Sequence, residues 1–173
     1  ESVGEFIRLY LTRYQRWASP LFLVGESYGT FRAAGLASYL IERGIALNGI
    51  VLVSSILDLM TACFDPGNDL PAMLYVPSYA ATAWYHRRLP ADLQERPLPD
   101  VLAEVESWTA SDFILALAQG ANLSQDERAA IAERLARYTG LPRRYVELSD
   151  FRIEINRFCQ ELLRDEGRIV GRL

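Results

Sequence analysis

The residues best suited to chemistry lie in the stretch Leu21-Phe22-Leu23-Val24-Gly25-Glu26-Ser27-Tyr28-Gly29-Thr30. Four apolar residues run into Gly-Glu-Ser-Tyr-Gly, and a helical pattern follows at once. A serine flanked at two residues on either side by glycine, between a strand and a helix, is the pattern of a nucleophile elbow. Geometry explains the residue types. A serine on so sharp a turn sits in strained backbone, so the residues two before and two after it must be small. Gly25 and Gly29 have no Cβ to clash. Ser27 Oγ is then expected to stand clear of the sheet edge, above the helix N-terminus. Unpaired N–H groups there favour a developing negative charge.

Other reactive side chains are sparse. His86 is the single histidine. It falls in a helical stretch beside Arg87 and Arg88, which disfavour an imidazolium, and it reads as an ordinary helix histidine rather than a base for Ser27. Asp58, Asp65 and Asp69 read as loop and turn residues. Cys63 and Cys159 are the two cysteines. With no C-x-x-C spacing they make neither a metal site nor a redox pair, though a disulfide between them stays open. Tyr75, Tyr79, Trp84 and Tyr85 have the spacing of a helix-packing surface, with a pocket lining as the alternative. Arg128, Glu133, Arg134 and Arg137 read as a solvated helix face. No metal or cofactor is implied.

The elements that must position Ser27 are legible around it. Ser2 with Glu5 has the spacing of a capping box. Phe6, Ile7, Leu9, Tyr10, Leu11, Tyr14 and Trp17 then give a helical apolar stripe, predicting a helix to Trp17 that Ser19-Pro20 ends. The elbow strand follows. Tyr28 to Arg43 predicts a helix, its small residues Ala33, Ala34, Gly35 and Ala37 allowing close packing on a sheet, with Arg43-Gly44 as its stop. Ile50 to Val53 is a continuous run of β-formers, as in a strand buried on both faces. Residues 1–58 therefore read as an α/β core, α-β-α-β, with the serine at the C-terminal end of a strand, where open α/β sheets place their sites.

Residues 59–166 read as nearly all helix. Pro71 and Pro77 interrupt one apolar stretch. Asp100 caps a helix to about Ala118. Ser124 with Glu127 forms a second capping box, opening a helix that Gly140 ends. Residues 167–173 resemble a strand being entered. The net charge of −4 provides no basic field for nucleic acid, no apolar run approaches a membrane span, and no secretory signal pattern is present. Half of the residues are hydrophobic, enough for a core. An elbow implies a parallel sheet of many strands, whereas two or three are legible. The stretch is therefore expected to be a fragment, poorly soluble alone because its strand edges are open; a monodisperse, cooperatively melting monomer would argue against this.

At Gly25-Glu26-Ser27-Tyr28-Gly29 the chain resembles the serine carboxypeptidase family of the α/β-hydrolase superfamily. The strand approach Leu47-Asn48-Gly49-Ile50 and the helical block after it are similar to that family. Tyr79-Ala80-Ala81-Thr82-Ala83-Trp84-Tyr85-His86 and Glu161-Leu162-Leu163-Arg164 resemble its bacterial branch. The resemblance implies a partial α/β-hydrolase core with an all-helical cap insertion that narrows access. It implies Ser27 as the acylating nucleophile, the Tyr28 backbone N–H as an oxyanion-hole donor, and Glu26 as a binder of the substrate's C-terminal carboxylate. The implied partner is a peptide with a free C-terminal carboxylate, with no nucleic acid, membrane or cofactor. A carboxylate bound against Glu26 needs a shared proton, so peptide binding is expected to weaken as pH climbs.

The chain departs from the family in several places. Thr30 stands where many members have Gly, and Ser54-Ser55 replaces the usual Gly-Asn. The Trp-Asn-Gly-Gly-Pro segment that supplies another oxyanion donor is absent, as are the Asp and His that follow the cap. Two other readings stay open: an esterase or other serine peptidase with the same elbow, and a non-catalytic degenerate hydrolase or helical interaction module.

Overall fold

A computed structural model describes residues 1–171. The chain divides into two compact units, Glu1–Leu59 and Met60–Leu173. The first runs α1 (Ser2–Arg13), β1 (Phe22–Glu26), α2 (Tyr28–Ile41) and β2 (Gly49–Val53). The strands pair in parallel, Phe22 opposite Gly49 and Glu26 opposite Val53. Parallel neighbours need a crossover, and α2 supplies it, packing on both strands. Leu11, Leu40 and Ile45 form the buried centre, with Leu21, Leu23, Leu36 and Leu47 against it. Ala33 and Ala37 are buried on α2.

Helix ends in this unit differ from the sequence reading in instructive ways. The Ser2–Glu5 capping box does not form: α1 starts one residue earlier than expected, with Glu1 at the cap position, and the Glu5 carboxylate bonds Arg8 at 2.6 and 2.9 Å. α1 stops at Arg13 instead of Trp17. Gln15 turns left-handed (φ 54°), and the Arg16 N–H reaches back to the Leu11 carbonyl at 2.8 Å, closing the last turn. Gly44 ends α2 as expected, with φ 75° and the Ile45 N–H on the Leu40 carbonyl at 2.9 Å.

The strand expected to be buried on both faces is not. Ile50, Val51, Leu52 and Val53 are each between 41% and 49% exposed. Their composition suits a sheet covered on both sides, but this unit has one neighbouring strand to pair with β2 among the described residues.

The second unit is helical: α3 (Leu70–Leu74), α4 (Val76–Tyr85), α5 (Ala91–Gln94), α6 (Leu98–Trp108), α7 (Ile114–Gln119), α8 (Gln125–Thr139), α9 (Arg143–Leu148) and α10 (Ile155–Glu161). Pro71, Pro77 and Pro99 do not interrupt helices here. They sit in the first turns of α3, α4 and α6, where the missing N–H has no intrahelical partner to lose. Asp100 consequently lies inside the first turn of α6, and Pro97 takes the cap position. A π turn over Thr109–Phe113 joins α6 to α7.

Ser124 and Glu127 do form the reciprocal box at the start of α8, and Gly140 (φ 69°) ends that helix. Gly140 is pinned twice over. Its backbone is left-handed, and a Cβ there would meet Arg88 Cβ at 2.9 Å. Arg88 in turn donates to the Leu162 carbonyl at 3.0 Å and pairs with Asp165.

Tyr79 and Phe158 stack at 4.1 Å in the core, and the Tyr79 hydroxyl donates to the Ile153 carbonyl at 2.9 Å. Burial pushes the Tyr79 phenol well above its ordinary pKa. Trp108 packs on Phe113 and Tyr138. The Tyr138 hydroxyl donates to Glu104 at 2.8 Å, and Arg96 donates to the same carboxylate at 2.5 Å. These bonds, Arg96 first, hold the Glu104 carboxyl below its usual range.

Residues 167–171 form no strand, and 172–173 of the expected return strand lie outside the described residues. Val170 packs instead into the helical core, its N–H on the Cys159 carbonyl at 2.9 Å. An apolar side chain with a nearby helical core to enter needs no sheet. Phe158 is fully buried under Tyr79. Phe158→Ala is expected to lower the stability of the helical unit by about 3–5 kcal/mol, read as a shift of its urea midpoint.

Candidate active site

Ser27 is the single residue between β1 and α2, with φ 54° and ψ −123°. A side chain in that region carries strain on the order of 1–3 kcal/mol. The chain uses nearly the same backbone at Gly120 (φ 53°, ψ −116°), and there the residue is glycine. Serine at 27 therefore holds a conformation that glycine would adopt without strain.

Three hydrogen bonds fix this turn. The Ser27 N–H donates to the Val53 carbonyl at 2.9 Å, bolting the elbow to the end of β2. The Ser27 carbonyl accepts the Thr30 N–H at 2.9 Å and the Thr30 hydroxyl at 2.7 Å. Ser27 itself is exposed to solvent.

The two motif glycines are not equivalent. A Cβ on Gly25 would meet the Gly29 carbonyl oxygen at 2.4 Å and the Thr30 nitrogen at 2.9 Å, contacts that backbone cannot relieve cheaply. A Cβ on Gly29 would meet nothing within 4 Å. The size limit expected at both positions thus acts at Gly25 alone within this unit.

Tyr28 is the first residue of α2, so its N–H has no intrahelical acceptor. It bonds to no other described residue. Its ring is exposed and stacks on Phe31 at 6.1 Å. Glu26 ends β1 with an exposed carboxylate that makes no hydrogen bond or ion pair among the described residues. Internal hydrogen bonding therefore does not account for an acid at this position.

The remaining candidates resolve into structural roles. His86 belongs to the helical unit, at the C-terminal end of α4, edge-on to Tyr85 at 5.0 Å. Asp69 holds Arg152 through both oxygens at 2.7 and 2.9 Å. Asp65 starts the turn closed by the Asn68 N–H on its carbonyl. Tyr79 is core, Tyr75 stacks between Phe64 and Tyr79, and the Trp84 indole donates to the Arg96 carbonyl. Tyr85 alone of that set is largely exposed. The charges on α8 are not merely solvated: Arg128 pairs with Asp150, Glu133 with Arg143, and Arg137 with Asp92. Cys63 and Cys159 are free thiols, and burial raises the Cys159 pKa.

Among the described residues, no group of three or more His, Cys, Asp or Glu is placed to hold a metal ion. No helix of these residues is long and apolar enough to cross a membrane. No family model, curated protein or solved structure matches the chain.

Thr30 is the site residue whose part sequence reasoning missed. The signal was a hydroxyl three residues after the serine, at the position from which a side chain reaches the carbonyl that starts the helix. The glycine contrast is directly testable. Gly25→Ala is expected to break the turn at Ser27 and lower the melting temperature, because its Cβ would meet backbone atoms. Gly29→Ala is expected to leave the melting temperature unchanged or raised, since alanine favours helix over glycine by about 0.8–1.0 kcal/mol.

Proposed function

We propose that this chain carries the nucleophile of a serine-type carboxypeptidase with an α/β-hydrolase core. The observation that supports this most is the backbone of Ser27: an exposed serine held in a glycine-type conformation between a strand and a helix. A hydroxyl with no task gains nothing from that strain, whereas an acylating nucleophile gains approach to a carbonyl and a ready oxyanion donor. In this reading Ser27 attacks the scissile carbonyl, the Tyr28 N–H receives the developing negative charge, and Glu26 receives the substrate's terminal carboxylate. The exposed, unpartnered carboxylate of Glu26 favours a peptidase acting on free C-termini over an esterase, which has no terminal carboxylate to bind.

The elbow's unit contains no histidine. In the family's order the acid and the histidine follow the cap, so the general base and its acid are taken to lie in segments of a longer protein, with the apolar faces of β1 and β2 covered by further sheet and helix. The helical unit takes the part of the family's cap, whose lining selects substrate.

Activity-based labelling of the full-length protein tests the reading. A fluorophosphonate is expected to modify Ser27, and Ser27→Ala to abolish both labelling and hydrolysis. An unlabelled wild-type protein points instead to a degenerate, non-catalytic hydrolase. Hydrolysis of a blocked dipeptide is expected to fall at least about tenfold when its terminal carboxylate becomes an amide, as loss of one charge-assisted hydrogen bond implies. Equal rates on the two point to an esterase or another peptidase.

Glu26→Gln tests the acid's role. Carboxyl–carboxylate binding takes up a proton, so kcat/KM on the free-acid peptide is expected to decline as pH rises, and the Gln variant to flatten that decline. An unchanged pH profile removes Glu26 from substrate binding.

A further inference from the structure

Thr30 is 1% exposed, in the first turn of α2. Its hydroxyl works in two directions at once. The proton goes to the Ser27 carbonyl at 2.7 Å, and a lone pair accepts the Ile56 N–H at 3.2 Å. Ile56 lies on the loop that leaves β2, and the Val53 carbonyl at the end of that strand holds the Ser27 N–H. One side chain therefore closes a ring that links the elbow, the start of α2 and the loop after β2.

The Ser27 carbonyl and the Tyr28 N–H belong to one peptide unit, and that unit is planar. In a trans peptide they point in opposite directions. Two donors on the Ser27 oxygen, the Thr30 N–H and the Thr30 hydroxyl, fix the plane from one side. The direction of the Tyr28 N–H on the other side follows, and that N–H has no partner of its own among the described residues.

We propose that Thr30 is a positioning residue: its buried hydroxyl sets the 27–28 peptide plane and so aims the Tyr28 N–H at the oxygen on which charge develops. This rests on the hydrolase reading of Ser27. A glycine at position 30 offers neither donor nor acceptor in its side chain. Here the hydroxyl performs both tasks, and the loop after β2 is part of the oxyanion donor's support.

The test compares Thr30→Val, Thr30→Ala and Thr30→Ser in the full-length protein, by steady-state hydrolysis and by the second-order rate of fluorophosphonate labelling. Removing an oxyanion donor costs roughly 10²–10³ in kcat, so misaiming one is expected to cost ~10–100-fold in Val and Ala, with KM within about threefold. Thr30→Ser keeps the hydroxyl and is expected to stay within about threefold of wild type in both readouts, by the same scale. Wild-type kcat in either hydroxyl-free variant overturns the proposal. So does a Ser variant that falls as far as Val, since the hydroxyl is then not the agent. A wild-type protein that hydrolyses nothing and does not label overturns the hydrolase reading itself, and the role given to Thr30 with it.

Discussion

A side chain held in a backbone conformation that suits glycine is the constraint on which the first unit turns. Ser27 stays there because three hydrogen bonds converge on its peptide groups, and each imposes a requirement elsewhere. The bond from its N–H needs β2 to end with the Val53 carbonyl in register beside Glu26. The bonds to its carbonyl need α2 to start at once and Thr30 to face inward. The tight return brings the Gly29 carbonyl so near residue 25 that only glycine fits there. Strand length, helix start and one bare backbone position are thus consequences of a single turn. The accumulated strain, small beside the burial energy of a domain, persists because the surroundings over-determine it.

Much of this was legible in the residues because glycine and serine report on backbone directly. The α-β-α-β order, the parallel pairing it implies and the elbow all follow from apolar runs broken at defined points, as at Leu21–Gly25 and Ile50–Val53. The Ser124–Glu127 box and the Gly140 stop were equally plain, since each is a local arrangement that needs no tertiary partner. Where local signals compete, the sequence was ambiguous. Ser2–Glu5 has the same spacing as Ser124–Glu127, yet α1 starts at Ser2 itself, which puts Glu1 at the cap and leaves Glu5 to Arg8. Pro71 and Pro77 look like interruptions until the helix starts just before them. Gln15 ends α1 in a left-handed conformation that nothing in its composition announces.

The candidate site divides the same way. The strand-to-helix turn at Ser27, with Glu26 at the strand's end, could be located because position and residue type coincide. The part of Thr30 could not, because it depends on Ile56, 26 residues further on. The difference between Gly25 and Gly29 was likewise hidden, since only the fold tells which of two glycines has a carbonyl against it. The aromatic cluster went to packing once Phe158, distant in sequence, stacked on Tyr79. No buried side-chain nitrogen or oxygen among the described residues lacks a hydrogen-bond partner, so the polar groups of Tyr79, Tyr138 and Thr30 are all spoken for.

Arg88 and Gly140 carry a different consequence. The left-handed turn after α8 rests against the arginine's stem, while its guanidinium grips the Leu162 carbonyl and Asp165. The close of α8, the residues just past α4 and the closing segment of the helical unit thus meet at one side chain. Opening any of them exposes the others, so amides in these three places should exchange with deuterium as one kinetic family rather than fray separately.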